Sequence, residues 1–181
     1  MKNVLKYLIE QSLDCLYAND KDLLERKVAE RDITHRFAHY FENNIAGTIV
    51  AEYNVDCEYN RDGYGIKQVN GNYVYPDFIL HKRGCNDNNI LIIEFKTWWN
   101  SENNADIDKI KWMMNPQLRY GYKFGCSIVL NKKSADIQWI ETYAVFPFSR
   151  QGVIRAINVS PLRNLLPPVY EAISKPEMPL V

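Results

Sequence analysis

Three charged side chains lie at the ends of two apolar stretches of the sequence. Asp77 opens the stretch "DFILH", and Glu94 and Lys96 close the stretch "ILIIEFKT". Alternation along a strand puts Glu94 and Lys96 on one face, about 6.6 Å apart along the chain, and turns Phe95 the other way. A hairpin between the two stretches would bring the Asp77 carboxylate beside Glu94.

Carboxylates that converge at the end of a sheet indicate a cation site, because they repel one another unless a positive charge neutralises them. Oxygen ligands favour a hard ion, Mg²⁺ or Mn²⁺. The compact ammonium of Lys96 beside such an ion would hold a water or a phosphate oxygen. A hard metal, a water and a lysine form a site that hydrolyses phosphate esters, since the metal lowers the pKa of the water and neutralises charge developing on phosphorus.

Glu30 is a further candidate acid. Residues 21–43 predict a long helix, and by helical spacing Glu30 lies on its apolar stripe rather than on its wet face. That stripe comprises Leu23, Ile33, Phe37 and Phe41. A carboxylate there needs a partner, because burying it unpaired is expensive. The alternative to a metal is an ion pair with Arg26 or Arg31.

The elements that must position these residues follow from periodicity and turn signals. We predict helices at 2–17 and 21–43, and a third helix that begins near Ala105 and ends before Pro116. We predict strands at 48–59, 73–82, 90–97, 125–131 and 137–148, with a hairpin turn at "NGN" (70–72). Hairpins imply antiparallel pairs, and the later helix permits a parallel crossover. The expected fold is α/β, a mixed sheet of four to five strands flanked by helices.

Composition bounds the class of protein. The chain has 181 residues, which suits one domain over 1–181, with a core at about 20–131 and a proline-rich strap at about 165–181. Lys plus Arg equals Asp plus Glu, 22 each, so no global field attracts nucleic acid or a membrane. Four scattered cysteines without a CxxC pair argue against a zinc or iron–sulfur site and suit a reducing cytoplasm. The first residues predict neither a signal peptide nor a membrane span.

"PD" at 76–77 together with "EFK" at 94–96 resembles the PD-(D/E)xK nuclease superfamily, whose fold is restriction-endonuclease-like with an αβββαβ core. "ERDITHRFAHYFE" at 30–42 resembles the helix that supplies an additional acid in many members. "CEYNR" at 57–61 and "PDFILHKRG" at 76–84 resemble a branch of small, uncharacterised bacterial proteins in this superfamily. Gln117 lacks a tyrosine four residues later, unlike the exonuclease-like branches.

The resemblance implies a magnesium-dependent endonuclease that acts on the phosphodiester bonds of DNA. Asp77, Glu94 and the backbone carbonyl of Phe95 would be metal ligands. Lys96 would be the catalytic lysine, and Glu30 would support the same ion or a second one. The alternative is a nuclease-fold protein that binds nucleic acid or a protein partner without cutting. A homodimer would most easily cut both strands of a duplex.

Basic residues interleaved with aromatic ones surround the candidate site in sequence, a pattern that suits phosphate contacts and base stacking. The predicted nucleic-acid contacts are Lys82, Arg83, Lys109, Lys111, Arg119 and Lys123. The alternatives are that these charges form an ordinary solvated face and that the aromatic side chains belong to the core. Of the histidines, we expect His35 and His39 to pack or to form hydrogen bonds, and His81 to be an ordinary residue at a strand end.

Overall fold

The computed structural model describes residues 1–100 and 104–141, within the compact unit Met1–Thr142. The predicted strap at about 165–181 and the last part of the predicted strand 137–148 lie outside the described residues. Four helices are present in the described part: α1 (Lys2–Asn19), α2 (Lys21–Glu25), α3 (Glu30–Asn44) and α4 (Asn104–Met114). None of the helices described is long and apolar enough to span a bilayer.

Nine strands occupy the same described ranges. They are β1 (Asn54–Cys57), β2 (Arg61–Asp62), β3 (Gly65–Ile66), β4 (Gln68–Val69), β5 (Asn72–Tyr73), β6 (Phe78–His81), β7 (Leu91–Thr97), β8 (Phe124–Leu130) and β9 (Ala135–Ile140). Five of them form one sheet in the order β1-β6-β7-β8-β9, and the other four form two small hairpins, β2-β3 and β4-β5. The pairs β1/β6, β6/β7 and β8/β9 are antiparallel, whereas β7/β8 is parallel and is connected through α4. The prediction of an α/β fold with a mixed sheet and a helical crossover is confirmed.

Three predicted elements are shorter than periodicity indicated. The predicted strand 73–82 is reduced to β6, because Tyr73 belongs to β5 and residues 74–77 lie outside any strand. The predicted helix 21–43 is two helices, because the chain breaks after α2 and Lys27 takes a left-handed conformation with φ 54°. The predicted strand 48–59 is reduced to β1, because the residues after α3 form turns in which the Thr48 hydroxyl donates to the Ile45 carbonyl at 2.7 Å. The "NGN" hairpin is confirmed between β4 and β5, with Asn70 and Gly71 at φ 50° and 80°.

Helices cover the five-stranded sheet on both faces. On one face α1 and α3 pack over the larger core, in which the Phe37 ring meets Phe95 at 4.9 Å and Phe78 at 5.5 Å between centroids. On the other face α4 packs over a smaller core that includes Ile79 and Ile92. Burial on both faces explains why β6 and β7 read as continuous apolar runs.

Gly125 in β8 allows α4 to approach the sheet closely. A Cβ at this position would lie 2.5 Å from Ile110 Cγ2 and 2.5 Å from Met114 Sδ, both on α4. These separations are far below van der Waals contact, so a larger residue would push the helix away from β8. The seat of α4 matters because this helix carries two of the side chains of the candidate site.

Candidate functional site

The pairing of β6 with β7 brings Asp77 to the candidate site. Phe78 pairs with Ile93, so Asp77, one residue earlier, lies opposite Glu94, one residue later. The Asp77 carboxylate accepts a hydrogen bond from the backbone N–H of Phe95 at 2.7 Å through Oδ2. The hairpin geometry expected from the sequence is therefore the geometry of the structure, and Asp77 is held against β7 rather than free in a turn.

Glu94 is buried, with its side chain only 1% exposed, and it faces α4. Its Oε2 is in ion-pair contact with Lys109 Nζ, yet neither carboxylate oxygen has a hydrogen bond of normal geometry among the described residues. Burial raises the pKa of Glu94 well above its usual range, and the nearby charge of Asp77 raises it further against the lowering effect of Lys109. Glu94 is therefore not a solvent-exposed residue paired with Lys96; its partner is Lys109.

Lys96 is held by three acceptors. Its Nζ lies 2.9 Å from Asp106 Oδ2, 3.3 Å from Glu30 Oε1 and 3.1 Å from the carbonyl oxygen of Phe95. Burial lowers the pKa of Lys96, but the hydrogen bond and charge of Asp106, with the charges of Glu30 and Asp77, outweigh burial and raise the pKa to about 12. Lys96 is therefore a fixed cation at neutral pH.

Glu30 is the first residue of α3, not a mid-helix residue as predicted, because the preceding chain leaves the helix at Lys27. It contacts Lys96, not the arginines considered as alternative partners; Arg26 pairs with Asp22 at 3.9 Å. Burial raises the pKa of Glu30, and Lys96 acts in the opposite direction. Its second oxygen, Oε2, is buried without a hydrogen-bond partner in the described part of the chain.

Two residues of α4 complete the cluster. Sequence reasoning missed Asp106 altogether and assigned Lys109 only to nucleic-acid contacts. Asp106 contacts Lys96 directly, and its Oδ1 is 3.9 Å from Lys109 Nζ. A crossover helix begins near the end of the strand that it follows, so its first turns face the last residues of β7. The sequence signal for this part of the site is the pair Asp106 and Lys109, two charged residues three positions apart in the first turns of α4.

The cluster carries an excess of negative charge. Its members are the carboxylates of Glu30, Asp77, Glu94 and Asp106 and the ammonium groups of Lys96 and Lys109. Four negative charges against two positive charges leave a formal charge of −2 when all are ionised. One divalent cation would balance that charge.

The donor set fits a hard metal ion. Within residues 1–100 and 104–141, no three His, Cys, Asp or Glu side chains are arranged to hold an ion. Two side chains and a main-chain group, Asp77, Glu94 and the Phe95 carbonyl, supply only oxygens, as Mg²⁺ and Mn²⁺ prefer. The buried Oε1 of Glu94 needs a partner, since unsatisfied buried acceptors are rare in native proteins.

An open cleft of about 320 Å³ reaches two acids of the cluster, Glu30 and Asp77, from solvent. Its lining comprises Glu30, Arg31, Asp32, Thr34, His35, Cys57, Glu58 and Asp77. The cleft lies between the beginning of α3 and the end of β1, so both Glu30 and Asp77 are reachable from outside. His35 is exposed in this cleft, whereas His39 contacts Asn43 at 3.2 Å and His81 is buried against Asp56 at 2.9 Å.

Of the six predicted nucleic-acid contacts, the structure gives only Lys109 a contact with an acid of the cluster. Arg83 and Arg119 pair with Asp56 and Asp62, each at 2.5 Å. Lys82 lies 3.9 Å from Glu52, Lys111 lies 3.7 Å from Asp108, and Lys123 is exposed. Lys82 and Arg83 follow β6, whereas Asp77 precedes it, so those two cations lie at the far end of that strand.

The aromatic residues near the site divide between core and rim. Tyr120 and Tyr122 are 3% and 1% exposed and belong to the smaller core with the partly buried Trp112, so their assignment to the core is confirmed. Trp98 and Trp99 are partly buried and pack edge to face at 5.4 Å between centroids.

Comparisons with protein-family models, with curated proteins and with solved structures find no match for this chain. The resemblance to the PD-(D/E)xK superfamily therefore stays a prediction. The geometry of the cluster of acids and lysines is the observation that indicates a function.

Proposed function

We propose that this chain is a metal-dependent nuclease with a restriction-endonuclease-like fold that hydrolyses phosphodiester bonds of DNA. The observation that carries the proposal is Glu94, a buried carboxylate whose Oε1 contacts no donor in the described part of the chain, beside Asp77 and two residues from a fixed lysine. An acid at position 94 is not explained by stability, because an apolar residue of similar size would stabilise the fold more. Charge at a stability cost is typical of active sites.

Asp77, Glu94 and the Phe95 carbonyl would hold Mg²⁺ or Mn²⁺, which when bound supplies an acidified water and neutralises charge on the phosphate. The hydrogen bond from the Phe95 N–H fixes the Asp77 carboxylate. Glu30 supports the same cluster from the beginning of α3.

Lys96 orients the attacking water or a phosphate oxygen. Its ammonium has three donors, and its contacts with Asp106 and Glu30 hold it beside the Phe95 carbonyl. Because its pKa is about 12, Lys96 acts as a permanent cation and hydrogen-bond donor, not as a general base. The open cleft at Glu30 and Asp77 is the route by which a strand would reach these groups.

A second candidate function is a nuclease-fold protein that binds nucleic acid or a protein without cutting. The observation that favours it is the internal pairing of the cluster, in which Lys109 and Lys96 already contact three of the four acids. Metal-dependent turnover separates the two, because a pure binder would shift DNA in a gel and release no products.

The test uses Lys96→Ala, with Lys21→Ala, an exposed lysine of α2 that pairs with Glu25, as the control. Supercoiled plasmid, circular single-stranded DNA and an RNA are incubated with protein and either Mg²⁺ or Mn²⁺. We expect K96A to keep its circular-dichroism spectrum and to lose at least about 10²-fold in cleavage rate, the effect of removing a charged group that stabilises the transition state. K21A should cut like the unmodified protein. Undiminished cutting by K96A would remove the proposal.

A further inference from the structure

The two lysines of the cluster are held differently. Lys96 has three acceptors and none of them is Glu94. Among the described residues, Glu94 is the acid in close contact with Lys109. The next acid, Asp106, lies 3.9 Å from the Lys109 ammonium. The Lys109 side chain is 19% exposed, so it reaches the buried carboxylate from the rim of the cluster. Its ammonium is therefore the cation that satisfies Glu94, the proposed metal ligand.

We propose that Lys109 competes with the divalent ion for Glu94 and, when displaced from it, supplies its ammonium to the substrate phosphate. This inference rests on the proposed function, because it concerns the same site. Two cations that share one carboxylate repel each other, and the repulsion is strong where water is largely excluded. Lys109 must therefore weaken metal binding for as long as it contacts Glu94.

The side chain of Lys109 is suited to both positions. A lysine carries a point charge on a flexible stem with three rotatable donors, so it can leave one acceptor for another without changing the helix. The backbone of α4 is held independently by Ile110, Met113 and Met114, which are buried in the smaller core. Movement of Lys109 therefore requires only rotamer changes at the rim.

The two lysines therefore have different roles in the site. Lys96 keeps its contacts with Asp106 and Glu30 before and after the metal binds. Lys109 contacts Glu94 only while no divalent ion occupies that carboxylate. Loss of the Lys109 charge should tighten metal binding and at the same time weaken substrate binding. A lysine with a purely structural role would not shift these two quantities in opposite directions.

Isothermal titration with MnCl₂ tests the competition in Lys109→Met, in Lys109→Arg and in Lys111→Met as the control on the same helix. We expect K109M to bind Mn²⁺ at least tenfold more tightly than the unmodified protein. K109R, which keeps the charge, and K111M should stay within about threefold. The KM for DNA should rise at least threefold in K109M and stay unchanged in K109R.

Equal Mn²⁺ affinities of K109M and the unmodified protein would overturn the inference and leave the proposed function standing. The absence of Mn²⁺ binding in every protein would overturn both. A second measurement avoids mutation: the unmodified protein is labelled with an amine-reactive ester, with and without Mg²⁺, and the lysines are quantified by mass spectrometry. Labelling of Lys109 should rise severalfold with Mg²⁺ while Lys111 stays constant, and an unchanged Lys109 would overturn the competition.

Discussion

The two faces of strand β7 differ in what they contribute. Leu91, Ile93 and Phe95 face α1 and α3 and join the larger core. On the opposite face Ile92 packs under α4, but Glu94 and Lys96 follow it and meet charged side chains instead of apolar ones. Phe95 thus belongs to a face that stabilises the fold, whereas its neighbours Glu94 and Lys96 belong to a charged face.

The difference indicates how this fold can accommodate buried charged side chains. The larger core includes residues of α1, α2 and α3 and, with its partly buried members, of all five strands of the sheet, so it can carry the stability that the α4 face gives up. Burying Glu94, Asp77 and Glu30 raises the pKa of each, which means that their ionised forms are unfavourable in the folded protein. A rigid and apolar layer behind them holds those charges in place.

The largest effect on stability is expected at Phe95. Phe95→Ala should lower the free energy of unfolding by about 3–5 kcal/mol, because the ring is fully buried and packs on Phe37. Lys96→Ala, one residue away on the other face, should lower it by about 1–2 kcal/mol, because the partly buried Glu30 and Asp106 lose their cation. Urea denaturation in EDTA measures both. Similar losses in the two variants would contradict the division between the faces.

An intermediate effect is expected at Gly125, where α4 meets the sheet. Gly125→Ala should lower the free energy of unfolding by about 1–3 kcal/mol through overpacking, and should reduce cleavage because α4 carries Asp106 and Lys109. The double variant with Met114→Ala removes one of the two clashing groups. It should be more stable than the sum of the single losses implies, as a thermodynamic cycle measures. Strict additivity would show that the close approach does not matter.

The smallest effect is expected at Glu94, and its sign is opposite. Glu94→Gln should raise the free energy of unfolding at pH 8 by about 0.5–2 kcal/mol while abolishing metal binding. The folded pKa of Glu94 lies well above 4.5, so between 4.5 and the raised value the unfolded state binds fewer protons. Stability of the unmodified protein therefore falls as pH rises through that window, and the Gln variant lacks this contribution.

Urea denaturation of both proteins from pH 5 to pH 8, in EDTA, follows the difference. The gap in stability between Glu94→Gln and the unmodified protein should widen as the pH rises. A variant that is less stable than the unmodified protein at every pH would mean that the Lys109 ion pair outweighs the effect of burial. That result would place the charged face among the stabilising parts of the molecule.

Local sequence located β7, β8, α1 and α4 closely, but it missed the lengths of β1 and β6 and the break between α2 and α3. The apolar run ending in "EFK" and the turn signal at "NGN" located β7 and the β4-β5 hairpin, because side-chain alternation and positive φ are properties of a few adjacent residues. The break between α2 and α3 was missed, since no glycine or proline marks it and Lys27 adopts its unusual φ within an otherwise helical pattern. That error placed Glu30 in mid-helix instead of at its first residue.

The sequence by itself determined that Glu94 and Lys96 share one face of a strand while Phe95 takes the other, since the pleat of a strand enforces that alternation. It also located Asp77 beside Glu94, because a hairpin leaves few registers open. Only the tertiary structure decided the partners of those charges. Asp106 and Lys109 reach β7 through a helical crossover whose angle and depth depend on packing over Gly125, and no short stretch of sequence encodes such a long-range contact.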